Sequence, residues 1–223
     1  MKNQVVQIKS IAFITHNVLH IITEKPEGMN FIPGQATELF IDEPGWENEG
    51  RPFTFTGLPD EEHLEFMIKT YPSHNGVTNK LRSLKAGDQV ILNDVFGAIS
   101  YKGEGTFIAG GAGVTPFISI LRDLKSKDQL GNNTLIFANT SKRDIILKDE
   151  FQQMLGANFI NILSEETVEG IAHGRITEQF LKDCGLSFDK QFYICGPPPM
   201  MAAVEEQLSH LDVKKEQLVM EEF

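Results

Sequence analysis

Cysteine is scarce: the 223 residues contain two, Cys184 and Cys195. Two cysteines cannot build a disulfide framework or a four-cysteine zinc or iron–sulfur site. Basic residues are in deficit as well. Twenty lysines and arginines face 31 aspartates and glutamates, a net charge of −11. That argues against a nucleic-acid surface and disfavours anionic membranes and acidic partners outside a local basic patch. No run of about 18 apolar residues is present, so no membrane span is expected. Met1-Lys2-Asn3-Gln4 leads into alternation and not into an apolar stretch, so no secretory signal is read and a reducing cytoplasm is the expected compartment. The six histidines are expected to hold no metal. Neither a Gly-x-Ser-x-Gly elbow nor a Gly-Lys-Ser/Thr phosphate loop occurs, which argues against serine hydrolase and ATPase chemistry. The acidic pairs Glu61-Glu62, Glu165-Glu166 and Glu205-Glu206 are expected to be solvated faces.

What is present divides the chain in two. In the first hundred residues, short runs rich in Val, Ile, Phe and Thr are punctuated by Gly, Pro, Asn and Asp. They span 4–14, 18–23, 38–41, 53–56, 64–70 and 89–92, and such spacing predicts an antiparallel barrel or sandwich. Only residues 77–84 look helical there. After Ser100 the texture changes. Strands are predicted at 106–109, 134–138, 159–163 and 192–195, alternating with helices at 117–124, 149–154, 177–182 and 200–208. That alternation predicts a doubly wound, Rossmann-like α/β domain with a parallel sheet. The expected domains are 1–100 and 101–223.

Four segments carry candidate chemistry. Gly111-Ala112-Gly113-Val114-Thr115-Pro116 follows a predicted strand and opens a predicted helix, where glycines let a diphosphate approach free amides and the helix end favours an anion. Cys195-Gly196-Pro197 ends another predicted strand. Strand C-termini line the ligand crevice of a doubly wound sheet, so these two segments are expected to face one crevice. Arg51-Pro52-Phe53-Thr54 sets a guanidinium beside an aromatic ring and a hydroxyl, groups that hold a phosphate and a flat ring together. Gly76-Val77-Thr78 offers amides and a hydroxyl at a helix start.

These motifs, in this order, resemble the ferredoxin–NADP reductase family of flavoenzymes. Phe31-Ile32-Pro33-Gly34-Gln35, Gly97 and the terminal Glu221-Glu222-Phe223 extend the match along nearly the whole chain. The resemblance implies a flavin-binding barrel followed by a nicotinamide-nucleotide domain, with FAD and NAD(P)H reacting where the two meet. It implies that Arg51 and Pro52 lie at the flavin phosphates, Phe53 against the ring, and Thr54 near the flavin atom that accepts hydride. Gly76, Val77 and Thr78 are expected to hold the FAD diphosphate. Gly111, Gly113, Thr115 and Pro116 are expected to hold the dinucleotide diphosphate. Cys195, Gly196 and Pro197 are placed near the nicotinamide, and Phe223 near the exposed flavin face. Many relatives have Tyr and Ser where this chain has Phe53 and Thr54. Ideal alternation would point those two side chains to opposite faces.

The implied function is a FAD-dependent NAD(P)H oxidoreductase passing electrons to a separate carrier such as flavodoxin or ferredoxin. A flavin or small-molecule reductase, or an electron-transfer subunit of an oxygenase or dehydrogenase, is the alternative. A local patch of Lys80, Arg82 and Lys85 is expected to offset the acidic field for an acidic carrier. Ser141, Lys142 and Arg143, partly offset by Asp144, tilt the expectation slightly towards NADPH, because a cationic pair there suits a 2′-phosphate.

Overall fold

The computed structural model describes residues 3–221. Six antiparallel strands come first: β1 (Gln4–Phe13), β2 (Val18–Glu24), β3 (Ala36–Ile41), β4 (Arg51–Thr54), β5 (His63–Lys69) and β6 (Gln89–Phe96). A short helix, α1 (Val77–Lys80), precedes β6. The strand order is β4-β3-β6-β1-β2-β5. Beyond β4, Phe55 bridges Phe66 of β5, so the two edges meet and the sheet closes into a barrel. Alternation fills it: Leu64, Phe66 and Ile68 of β5 and Leu19 and Ile21 of β2 point inward with Val90 and Leu92 of β6. Pro52 is tolerated because β4 lies at an edge, where a missing amide hydrogen costs no ladder bond. The barrel expectation holds, with β4 starting two residues earlier than its sequence signal and β6 running four residues further.

The second sheet is parallel. Its elements are β7 (Gly105–Gly110), α2 (Thr115–Ser126), β8 (Thr134–Asn139), α3 (Lys148–Leu155), β9 (Phe159–Leu163), β10 (Ala172–His173), α4 (Glu178–Asp183), β11 (Gln191–Cys195), α5 (Pro198–His210) and β12 (Leu218–Met220). The order is β10-β9-β8-β7-β11-β12. The sheet is therefore doubly wound and switches direction between β7 and β11. Two- and three-residue edge strands, β10 and β12, carry too few residues to show a period, and the sequence reading omits them. Both faces are covered. Phe107 and Ala109 of β7 pack with Phe117, Leu121 and Leu124 of α2. The intervening Ile108 packs with Met201, Val204 and Leu208 of α5.

Helix α2 also joins the two sheets. Its apolar residues bury against β7, and Pro116 fits its first turn because no amide hydrogen is wasted there. Val18 and Met67, on the outer face of the barrel, belong to the same apolar cluster as Phe107 and Phe117. Ser119 Oγ accepts a hydrogen bond from the Gly34 amide at 3.0 Å, buried. One turn on, Arg122 reaches Glu65 of β5 and Glu150 of α3, each at 2.6 Å, and donates to the Thr56 carbonyl at 3.0 Å. His16 and His20, four residues apart, share no helix: His16 stands 3.6 Å from Asp144, and His20 stands 3.0 Å from Glu65. Burial raises the Glu65 pKa, but His20, the Arg122 charge and the Thr56 hydroxyl outweigh it and hold the carboxyl at about 2.

Arg122→Met should therefore leave Glu65 buried without its main counter-charge and cost about 3–5 kcal/mol in urea unfolding at neutral pH. The acid dependence has a definite sign. A carboxyl depressed from 4.5 to about 2 stabilises the fold above pH 4.5, and that contribution is lost as pH falls from 4.5 towards 2. In Glu65→Gln the unfolding free energy should fall less steeply through that window; an unchanged slope would remove Glu65 from the account.

Candidate functional site

Two hollows flank the junction of the sheets. The first, about 410 Å³, is lined by Arg51, Pro52 and Phe53 on one side and by Asn75, Gly76 and Thr78 on the other. The structure thus brings two of the sequence motifs together. Arg51 and Phe53, two apart, share a side of β4. Phe53 is half-buried on the barrel core, while Arg51 is half exposed and touches only its own loop, Gly50 O at 2.6 Å and Glu49 at 3.6 Å. Gly76 precedes α1 in extended conformation, and no side chain caps the helix, so its first amides have no acceptor within the helix. Val77 contributes backbone alone, because its side chain is buried in the barrel. Thr54 does not line this hollow. It pairs with Ala36 of β3, which also pairs with Phe96.

The second hollow, about 400 Å³, opens at the C-terminal ends of β7, β8 and β11, where the sheet switches direction. Lys69, Gly110, Gly111, Asn139, Arg175 and Pro197 line it. The glycine turn and the Cys195-Gly196-Pro197 segment do face one crevice. A Cβ on Gly196 would sit 3.0 Å from the Gly110 amide, and one on Gly113 would collide with the Cys195 carbonyl. The glycines here have separate physical reasons. Gly111 takes a left-handed turn, φ +53°, at the mouth of the hollow. Gly113 lies beneath and permits β11 to pack close. Gly113, Thr115 and Pro116 are not among the lining residues. Thr115 Oγ1 donates to Ala112 O at 3.0 Å, and Pro116 is buried in the first turn of α2.

Three lining residues have no motif around them. Asn139, at the end of β8, is 7% exposed, and neither atom of its amide has a partner within the described residues. A buried amide without partners costs free energy that a ligand in the hollow would recover. A polar residue closing an apolar strand is the one sequence signal for it. Lys69 comes from the barrel and stands close to Gly111, and Arg175 follows β10. These two cations suit a diphosphate, but only the fold brings them to it.

Between the hollows stands Cys195. Burial, with a smaller contribution from Glu221, pushes its thiol up to about 12, so it stays a neutral, weak hydrogen-bond donor. Burial also raises the Glu221 carboxyl. A Cβ on Gly97 would lie 3.6 Å from Glu221 Oε1 and 3.6 Å from the amide of Ala36, the β3 partner of Thr54. Thr54, Gly97, Glu221 and Cys195 thus form a chain of neighbours across the junction. Phe223 lies outside the described residues.

The basic patch expected at Lys80, Arg82 and Lys85 is corrected by the fold. Glu43 of the β3–β4 loop pairs with Lys80 at 2.6 Å, and Asp88 pairs with Lys85 at 2.9 Å. Arg82 is left over the ring of Phe13. Local acids thus cancel two of the three charges.

The arrangement matches known proteins. Residues 107–206 match the model of the oxidoreductase NAD-binding domain. The chain is 27% identical to NADH-cytochrome b5 reductase 2 of Mycosarcoma maydis, over 91% of this chain and 65% of that protein. It is 30% identical to the reductase component of propane 2-monooxygenase of Rhodococcus jostii, over 92% of this chain and 59% of that protein. The chain therefore spans about three-fifths of the length of these two relatives. A ferredoxin NADP+ reductase from Neisseria gonorrhoeae, solved with bound FAD and NADP, superposes with a TM-score of 0.84 at 20% identity, over 99% of this chain and 98% of that one. Among the described residues no helix is long and apolar enough to cross a membrane.

Gly113→Ala tests the packing of the two motifs. With backbone in the way, the added methyl should cost at least about 1–3 kcal/mol and weaken nucleotide binding by displacing Cys195. Gly76→Ala meets open space without a left-handed φ and should leave the melting temperature within a degree or two, on the order of a neutral surface change. Equal melting temperatures for the two variants would refute the packing role.

Proposed function

We propose that this chain, which carries the two-domain fold of the ferredoxin–NADP reductases and an oxidoreductase NAD-binding domain, is a FAD-dependent NAD(P)H oxidoreductase. Residues 1–100 would hold the flavin and 101–223 the dinucleotide, with Lys69 reaching across from the first to the second. One observation carries the proposal. A hollow with a guanidinium, a ring and free amides, and a hollow with an unpartnered buried amide and two cations, converge on one junction. Bound there, the flavin would supply the capacity to accept hydride from a reduced nicotinamide and release electrons onward.

The side chains supply position and electrostatics. Arg51 and the amides before Val77 and Thr78 would neutralise the flavin phosphates, and Phe53 would fix the ring plane. Lys69, Arg175 and the Gly110–Gly111 turn would anchor the dinucleotide diphosphate, and Asn139 would hydrogen-bond its adenosine half. Thr54 would offer a hydroxyl at the reacting edge. The neutral Cys195 thiol would shape the nicotinamide seat, and Glu221, its pKa raised by burial, would hold a proton beside it. The electrons would leave for a separate protein. Net charge of −11, with the Lys80 and Lys85 charges locally cancelled, favours a carrier face that is not strongly acidic. A specific observation also favours a role within a larger assembly: the chain covers 59% of an oxygenase reductase component and 49% of one component of the Na(+)-translocating NADH-quinone reductase of Serratia proteamaculans. The carrier would then be another part of the same assembly.

The purified protein should show flavin absorbance. Arg51→Ala should lower its flavin affinity roughly ten- to a hundredfold, the loss of about 1.5–3 kcal/mol for a charged hydrogen bond. Equal retention of FAD would remove Arg51 from the site. Thr54→Val and Cys195→Ala should keep flavin content but slow its reduction by the nucleotide roughly fivefold, on the order of one hydrogen bond. Stopped-flow traces that superpose on wild type would remove both residues from the reaction.

A further inference from the structure

The dinucleotide hollow does not end at Thr140. The next residue along from each of β8 and β9, Ser141 and Glu165, lines a third, open hollow of about 660 Å³ together with Lys142, Arg143 and Glu166. Thr140 and Ser164 line the inner one, so the two are continuous along the strand ends. The unpartnered, buried Asn139 amide faces the inner side of that boundary.

The outer hollow has the sequence of a phosphate site but not its free donors. The Ser141 amide and hydroxyl both donate to Asp144 Oδ2, at 3.0 and 2.6 Å. The Lys142 amide donates to Glu166 Oε2 at 2.7 Å. Three of the short-range donors that would grip a phosphate are thus already held by carboxylates. The charges point the same way: Asp144, Glu165 and Glu166 oppose the side chains of Lys142 and Arg143, so no excess positive charge remains. A dianionic 2′-phosphate would meet like charge and occupied donors. A 2′-hydroxyl would find carboxylate acceptors for its own proton. Resting on the dinucleotide reading above, we infer that Asp144, Glu165 and Glu166 make the site select NADH over NADPH, against the tilt of the Ser141-Lys142-Arg143 sequence.

The test is calorimetric titration of the flavin-loaded protein with NAD⁺ and NADP⁺ at one fixed ionic strength. Wild type should bind NAD⁺ at least about tenfold tighter than NADP⁺. The double variant Glu165→Gln, Glu166→Gln keeps an acceptor for the Lys142 amide and removes two charges. It should tighten NADP⁺ about three- to tenfold while changing NAD⁺ little, so the ratio contracts. Far-ultraviolet circular dichroism and retained flavin establish that the variant is folded. Wild type that prefers NADP⁺, or a ratio unmoved in the variant, overturns the selection. Failure of both dinucleotides to bind overturns the nucleotide reading itself, and the selection with it.

Discussion

The pinning of α2 to the barrel is the constraint on which the site depends. The hollow containing Arg51 belongs to one sheet and the hollow containing Asn139 to the other, so their convergence is only as well defined as the packing between the sheets. Strand β5 supplies much of that packing through simple alternation. Leu64, Phe66 and Ile68 face the barrel core. The intervening residues face out and do three jobs in order. Glu65 takes the Arg122 ion pair, Met67 joins the apolar cluster shared with α2, and Lys69 reaches the mouth of the dinucleotide hollow. A one-residue slip of β5 would reverse all three. Apolar contact supplies the attraction, and the Arg122 network fixes the register, because an arginine held by two carboxylates and a carbonyl satisfies its directional donors in one placement only.

The glycine turn shows why a motif and its physical reason must be separated. Gly111 and Gly113 look equivalent in sequence, as two glycines of a loop suited to a diphosphate. In the fold Gly111 borders the hollow and Gly113 lies beneath it, where any Cβ would displace the Cys195 carbonyl. One glycine admits a ligand, and the other admits a neighbouring strand. Both are needed for the crevice, but only the first touches it. Thr115 and Pro116 likewise serve the turn, through a local hydrogen bond and a preset φ.

Most of the architecture was legible because it rests on local periodicity. Barrel strands alternate, helices such as α2 repeat their apolar residues every three or four positions, and Gly and Pro punctuate both. The motifs lining the two hollows were legible for the same reason, since each occupies a few consecutive residues. Lys69, Arg175 and the placement of Glu221 beside Cys195 were not, because each is brought there by a contact between distant segments. The Lys80, Arg82 and Lys85 patch failed in the complementary way. A helix presents its own charges legibly, but the acids that cancel them, Glu43 and Asp88, come from a loop and a turn whose positions no period reveals.

Charge is distributed across the site with a pattern that the chemistry of flat rings explains. Cations line the two hollows: Arg51 in one, Lys69 and Arg175 in the other. At the junction the groups are uncharged or driven towards the uncharged form: the Thr54 hydroxyl, the Cys195 thiol, and the Glu221 carboxyl, whose pKa burial raises. Phosphates carry fixed charge and need fixed counter-charge. A redox-active ring changes its own charge as it reacts, so a permanent ion beside it would favour one state over the other. Burial of Cys195 and Glu221 therefore does more than exclude water. It keeps the ground between the hollows electrically neutral, so that neither oxidised nor reduced ligand is locked in place, while the cations further out hold both ligands by the parts that do not change.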